Sequence, residues 1–308
     1  MKKYLYIALA AAALSSCSSD DTLDVVKGEE IAFGNAFVDN STRAAEEYTA
    51  ASEIESFKVY GTVTGEGNTA TLYNGATVTK NGTAWNCTQK EYWIPSCSYS
   101  FTAVVEGEIS NNQIAYNMGD GDLLLSKATA STNAQGTPSQ NPVEFTFGHL
   151  LSKTFFTFTN GTEVKDKYKF QITGISITGY ASSGTFDVTK EVWSETLGTA
   201  STTALTYTAS DVVGETAVTS TANLLVPGKQ SLSITIAYDV LYVDGDDNKK
   251  LYSTSTTKPL TDYTFVKNHV YNFAVTLPAP GNEITFTVKN ELSWGDTTEV
   301  PDNNTHRV

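Results

Sequence analysis

The sequence predicts an all-β protein composed of antiparallel β-sandwiches. Charged residues make up only 18% of the 308 residues, Thr, Val, Tyr and Phe are plentiful, and no long segment keeps a helical period. Short runs alternate apolar and polar residues, which places the apolar side chains on one face of each strand. The clearest runs lie at 57–63, 98–104, 143–147, 154–158, 171–177, 231–236, 269–275 and 284–288.

The amino terminus predicts export and a lipid anchor. Two lysines precede an apolar run at 4–14, which is too short to cross a bilayer and is typical of a secretory signal. Residues 14–17, Leu-Ser-Ser-Cys, resemble the lipobox of bacterial lipoproteins. Residues 1–16 are therefore expected to be the signal peptide, and Cys17 is expected to carry lipid. An ordinary signal peptide with an incidental cysteine is the alternative.

The polar stretch after Cys17 favours the outer membrane as the location. Residues 18–21, Ser-Ser-Asp-Asp, resemble the acidic signal that directs some lipoproteins to the outer face of that membrane, and residues 17–30 are expected to form a tether. No other run reaches the roughly 18 apolar residues that a membrane helix needs. The formal net charge is −14, which argues against nucleic acid as a partner.

The chain is long enough for two domains of ordinary size. A low-complexity stretch at 128–142 is followed by a fresh series of strand-like runs. We therefore place a boundary between an amino-terminal domain at 31–144 and a carboxy-terminal domain at 145–308. A long loop inside one domain is the alternative.

Cys87 and Cys97 are the only cysteines beyond the predicted anchor. In an exported chain such a pair first suggests a possible disulfide, and a bridge across two neighbouring strands is feasible here. Two buried free thiols are the alternative, because cysteine also serves as a small apolar core residue.

No residue pattern predicts catalysis, a metal site or a cofactor. His149, His269 and His306 are far apart in the sequence, and each is expected to be a core or surface residue. Residues 244–248, Asp-Gly-Asp-Asp-Asn, open like a calcium loop, but Lys249 stands where that loop needs glycine. A hairpin turn explains the segment better. The chain is therefore expected not to be an enzyme.

Aromatic side chains offer another kind of site, one that binds a glycan or a host protein. At least three of the four tryptophans, Trp85, Trp93, Trp193 and Trp294, are expected to pack in the core or at a sheet edge. Trp193 lies between polar turns in the segment 187–199. We predict that this loop contacts a ligand.

A series of short motifs runs along nearly the whole mature chain. They are Glu30–Phe33 with Ser41–Ala44 after it, Tyr92–Pro95 leading to Tyr99–Ala103, Phe147–Lys153, Leu224–Pro227, Lys267–Tyr271, and Ile284–Val288 followed by Trp294. Each motif alone is common in exported sandwiches. In this order, and together with the lipobox, they resemble the fimbrillin family, the lipoprotein precursors of type V pili.

The resemblance implies a fold and a mode of assembly. The fold would be two transthyretin-like antiparallel β-sandwich domains in tandem. An arginine-specific protease would cut between Arg43 and Ala44 and remove a first strand within 31–38, and a strand from another pilin subunit would fill the exposed groove. A sandwich that lacks a strand leaves unpaired backbone groups and an open core, so an incoming strand is physically favourable. If Arg43 is instead an ordinary loop residue, the first strand stays.

The carboxy terminus bears on whether the chain donates a strand or only accepts one. Residues 295–308 are polar and interrupted by Pro301, which makes them a poor donor strand. Either the alternating segment 284–294 is the donor, or the chain donates none and is a tip or accessory adhesin. The rival prediction is a monomeric outer-membrane lipoprotein that keeps its first strand and binds a glycan or a host protein.

Overall fold

Strands are the regular elements of this protein. Within the residues that the computed structural model describes there are strands and no helix, and thus no helix that could span a membrane. The predicted all-β class is confirmed. The described residues are 28–38, 54–279, 281–293 and 306–307.

Several sequence predictions fall outside these ranges. The lipidation residue Cys17, the cleavage pair Arg43 and Ala44, and Trp294 lie outside the described residues. The transthyretin-like character of two tandem domains also stays a prediction.

The first half of the chain forms a seven-stranded sheet. Its strands are β1 (Phe33–Val38), β2 (Ser56–Gly65), β3 (Asn68–Asn81), β4 (Ala84–Cys87), β5 (Ser98–Val105), β7 (Leu124–Ser131) and β8 (Val143–His149), while β6 (Gln113–Asn117) joins another sheet. The strand order is β1-β8-β7-β5-β2-β3-β4. The sheet curls around a single core, because Phe33 on the first edge strand and Trp85 on the last both contact Phe57.

Two larger sheets of the second half enclose a second core. Their strands are β9 (Ser152–Asn160), β10 (Tyr168–Thr178), β13 (Leu205–Tyr207), β14 (Val212–Val213), β15 (Val218–Thr219), β16 (Asn223–Leu225), β17 (Gly228–Asp244), β18 (Asp247–Phe265), β19 (His269–Leu277), β20 (Thr285–Ser293) and β21 (His306–Arg307). One sheet has the order β13-β10-β17-β18 and the other β15-β9-β19-β20-β21, with β14 and β16 paired beside them. Rings from both, such as Phe170 and Phe273, meet in one apolar cluster.

A small third sheet joins the two halves of the chain. Its central strand is β11 (Ser183–Asp187), which pairs with β6 of the first half on one side and with β12 (Val192–Trp193) on the other. Beneath it lies a third apolar cluster, to which the first half contributes Ile114 and Tyr116 and the second half Phe186 and Val188.

Among the strands of the described ranges, two pairs depart from the antiparallel pattern. β1 runs parallel to β8, and β9 runs parallel to β19. Between β9 and β19 the chain builds the opposite sheet of the sandwich, which gives the long connection that parallel neighbours need.

The domain boundary predicted between residues 144 and 145 needs a correction. That bond lies inside β8, which pairs with β1 and β7 and contributes Phe145 and Phe147 to the first core. The low-complexity stretch misled the prediction because its first residues continue β7 and the rest forms the β7–β8 loop. Glu29 and Glu30, expected in the tether, are paired with Trp93 and Tyr92 of the segment between β4 and β5.

Candidate functional site at the edge of the first sheet

β1 occupies an edge of the first sheet, and the described residues give it one strand partner within that sheet, β8. The register places Phe33 opposite Val143 and Ala36 opposite Phe145. Just before the strand, the Val143 amide donates a hydrogen bond to the Ala32 carbonyl at 2.8 Å. β1 is therefore held from one side by backbone pairing, as an edge strand is.

The residues just before β1 pair with the segment between β4 and β5. The Ile31 amide donates to the Glu91 carbonyl, and the Trp93 amide donates to the Glu29 carbonyl, both at 2.9 Å. Outside the backbone, the Lys90 ammonium lies 3.1 Å from the Glu30 carboxylate. One short segment thus bridges the residues that follow β4 and the first residues of β8.

The Asn141 side chain holds this segment through three hydrogen bonds. Its amide nitrogen donates to the Glu29 carboxylate at 2.7 Å and to the Glu30 carbonyl at 3.2 Å. Its amide oxygen accepts the Ala32 backbone N–H at 3.0 Å. Two of these three bonds are to backbone atoms of the segment. Just before β8 begins, the Asn141 side chain therefore provides the hydrogen bonds that a neighbouring strand would otherwise provide.

Phe33 anchors the segment in the core of the first sheet. Its side chain is 4% exposed, and its ring centroid lies 5.5 Å from Tyr73 and 6.0 Å from both Phe101 and Phe145. Aromatic rings at such separations attract one another beyond simple area burial. The surroundings are strongly apolar, and burial raises the pKa of the Tyr73 hydroxyl far above its ordinary value.

Without the 28–38 segment the site would be an open groove. Phe57, Tyr73, Phe101 and Phe145 would lose the ring that they contact. Backbone groups of β8 and of residues 91–93 would lose their partners. Exposed apolar surface and unpaired strand edges are both unfavourable in water, so the 28–38 segment closes a groove that would be unstable if left empty.

Trp193, predicted in a ligand loop, lies at the junction of the two halves. Its ring is half-buried and contacts the rings of Tyr116 and Phe186 at 6.2 and 5.6 Å. Its indole N–H donates to the Leu150 carbonyl at 2.7 Å. The structure thus gives Trp193 a packing role, and ligand contact by its loop stays a prediction.

The histidines and the acidic turn also have defined places. His149 is buried beside the buried carboxylate of Asp122, with 2.9 Å between Nδ1 and Oδ2, and His269 begins β19. Residues 244–247 form the turn between β17 and β18, which is the hairpin that the sequence predicts. Among the described residues no group of three or more His, Cys, Asp or Glu side chains is arranged to hold a metal ion.

Cys87 and Cys97 are free thiols, which is the second of the two alternatives that the sequence left open. Cys87 pairs with Val78 at the level of Phe57 on β2, whereas Cys97 precedes Ser98, which pairs with Thr64 near the other end of β2. Seven residues of extended strand span about 20 Å. A disulfide needs Cα atoms within about 7 Å, so these two cysteines cannot be bridged in this fold.

Thiol titration tests whether both cysteines are free. We expect the denatured chain to release two thiols from Cys87 and Cys97 whether or not reductant was present during purification. In the folded chain both should react slowly, because burial raises the pKa of each thiol and lowers the thiolate fraction. Cys87→Ser and Cys97→Ser should each remove one thiol. A denatured chain that shows neither thiol until reductant is added would contradict the structure.

The sequence did not single out Asn141 or Gly34. Asn141 looked like part of a polar linker, and its partners are about a hundred residues away; Ala32 is 109 residues from it. Gly34 is buried against Pro142, and a Cβ atom at Gly34 would lie 2.7 Å from the proline Cγ. An asparagine before a proline, and a glycine directly after an aromatic strand residue, were the available signals.

Comparison with known proteins places the chain among surface proteins. Residues 42–291 match a family described as fimbrillin-like. Residues 1–18, a range that includes Cys17, match the lipid attachment site of prokaryotic membrane lipoproteins. No curated protein gives a significant match to the chain.

Solved structures share the fold at low sequence identity. A fimbrial protein from Bacteroides vulgatus aligns over 87% of this chain and 100% of its own, with a TM-score of 0.56 and 15% identity. A cell adhesion candidate from Bacteroides ovatus aligns over 86% of this chain and 98% of its own, with a TM-score of 0.51 and 16% identity. The architecture is therefore one that fimbrial proteins use.

Proposed function

Because this chain belongs to the fimbrillin-like family, we propose that it is a structural subunit or tip adhesin of a cell-surface pilus that is completed by a strand from another subunit. The precursor is a surface lipoprotein whose attachment site includes Cys17. In the proposed path, cleavage between Arg43 and Ala44 removes β1, and another pilin strand takes its place. The outer membrane is then a partner of the precursor, and neighbouring pilins are partners of the mature subunit.

The observation that carries the proposal is the double role of the 28–38 segment. It closes the first core with Ile31, Phe33 and Ala36, which are 2–4% exposed, yet β1 lies at a sheet edge with one strand neighbour in that sheet among the described residues. A strand of this kind can leave without breaking any pairing between the remaining strands. Its loss leaves a groove that an extended chain can fill by strand addition.

The carboxy-terminal sheet supports an accepting role better than a donating one. Most of the segment 284–294, considered above as a donor, forms β20, which pairs with β19 along most of its length. Its residues Ile284, Phe286 and Val288 are at most 3% exposed. A strand that completes its own core is costly to give away, so we propose a subunit that accepts a strand and does not donate this one. We assign it no catalytic role.

Blocking the cleavage tests the proposal. We expect Arg43→Lys to leave the protein on cells with its amino terminus at Cys17 and to abolish its incorporation into fibres, because an arginine-specific protease does not cut after lysine while the positive charge is kept. Intact-mass measurement identifies the amino terminus, and gel electrophoresis of sheared fibres without boiling measures incorporation.

Arg307→Lys is the matched control and should mature and assemble normally. If Arg43→Lys still yielded mature chains that begin at Ala44 and fibres of normal length, the proposed cleavage would be wrong. Wild-type protein that keeps Cys17 and β1 on cells would instead favour the monomeric lipoprotein that binds a glycan or a host protein.

A further inference from the structure

We infer that the β1 groove selects its incoming strand by an interrupted pattern: an apolar residue, an aromatic residue two positions later, glycine directly after the aromatic residue, and a small residue five positions after the first. The occupant is then a strand of another polypeptide that carries this pattern, and this chain's own carboxy-terminal strand is excluded. The inference rests on the proposed function and adds the identity of the partner strand.

The spacing follows from an irregularity between β1 and β8. Phe33 lies opposite Val143, and Ala36 lies opposite Phe145, so three steps along β1 match two steps along β8. This is the geometry of a β-bulge, in which one strand carries an extra residue. Ile31, Phe33 and Ala36 are nevertheless all buried. The groove therefore receives side chains at positions i, i+2 and i+5, whereas a regular strand presents i, i+2 and i+4.

The glycine follows from the position of Pro142. A Cβ atom built on Gly34 would lie 2.7 Å from Cγ and 2.9 Å from Cβ of Pro142, and 3.5 Å from Cγ of Glu144. Contacts below 3.0 Å force something to move, and a proline ring cannot turn aside as a long flexible side chain can. Any residue other than glycine at this point pushes the strand away from β8.

The aromatic and the small position are defined by the space around them. Four rings enclose Phe33, which suits another aromatic residue and leaves a void around a smaller one. Ala36 is 2% exposed, so a larger or charged side chain at that position is overpacked or buried without a partner.

This chain's own strand fails two of these requirements. When Ile284 and Phe286 are placed at the positions of Ile31 and Phe33, Thr287 falls at the glycine position and Lys289 at the position of Ala36. Thr287 would meet Pro142, and the Lys289 ammonium would enter a buried site. The groove therefore disfavours self-assembly through β20 and favours a strand from a different subunit.

Peptide competition on the cleaved precursor tests the inference. The full chain is cut after Arg43 with an arginine-specific protease, and fluorescent peptides compete with the resident fragment for the groove. A peptide of residues 28–38 should bind, whereas its Gly34→Val and Ala36→Lys variants should bind at least about tenfold more weakly. A peptide of residues 284–294 should show the same loss. The Ala32→Val peptide is the matched control, because Ala32 is exposed, and it should bind like the parent.

The outcomes separate the inference from the proposed function. If the parent peptide does not bind, strand acceptance itself fails and the inference fails with it. If the parent binds and the Gly34→Val, Ala36→Lys and 284–294 peptides bind as tightly, strand acceptance stands and the selectivity is refuted. A Pro142→Ala subunit that binds the parent peptide should also recover binding of the Gly34→Val peptide, and failure to recover it would refute the role of Pro142.

Discussion

Truncation of Phe33 to alanine is expected to lower the free energy of unfolding of the chain by about 3–5 kcal/mol, the range for removing a buried aromatic ring. Phe33 is 4% exposed and contacts Phe57, Tyr73, Phe101 and Phe145. The cavity would lie between an edge strand and the sheet interior. β1 should therefore open more often than the rest of the sheet, since elements with few partners open first.

Chemical denaturation measures the loss, and hydrogen exchange locates it. The Ile31 and Ala32 amides, which are bonded to Glu91 and Asn141, should exchange faster in the variant than amides of β5 and β7. Tyr92→Ala is the matched control, because Tyr92 lies beside the same segment but is 41% exposed, and its loss should stay near or below about 1 kcal/mol. A change of that small size for Phe33→Ala would show that β1 is not part of the core.

Replacement of Phe286 by aspartate is expected to abolish folding. Phe286 is 2% exposed, and its ring stacks on Phe273 at 5.7 Å. The change removes the ring and places a carboxylate in an apolar core. Burial of the carboxylate alone costs more free energy than the net stability of most domains. Circular dichroism and solubility after expression give the measurement. Thr285→Asp is the matched control on the exposed face of β20 and should fold normally.

The same variant distinguishes the two roles considered for the carboxy-terminal strand. If β20 completes its own sheet, Phe286→Asp removes folding, whereas removal of residues 295–308 does not. If β20 were the donor strand, Phe286→Asp would give a folded subunit that fails only to polymerise. That second result would contradict the accepting role assigned to this chain.

The periodicity of the sequence predicts where strands lie, but it does not predict which strands pair with one another. The runs at 57–63, 98–104 and 269–275 are strands in the structure, because alternation depends on the residues of one strand and the two faces that it presents. The predicted boundary at 144/145 failed because β8 carries the same alternation whichever sheet it joins. Only its pairing with β1 and β7 assigns it to the first core.

The candidate site shows the same limit at the level of single residues. The sequence indicated a strand-like run within 31–38, and the resemblance to the fimbrillin family implied that this strand is removed by cleavage after Arg43. It did not indicate that Asn141 and Pro142 hold that strand, since both lie in a stretch of loop-like composition. The free state of Cys87 and Cys97 was also undecided, because the distance between two thiols depends on strand register and not on their spacing in the chain.

The sequence by itself therefore determined the all-β class, the lipid attachment site and the strand-like first segment, all of which depend on residues close together in the chain. The tertiary structure decided that β1 runs parallel to β8, that its buried residues follow an interrupted spacing, and that β20 belongs to its own core. These features depend on which distant strands meet and in what register. A local pattern of apolar and polar residues is compatible with several such pairings, and packing of the complete core selects one.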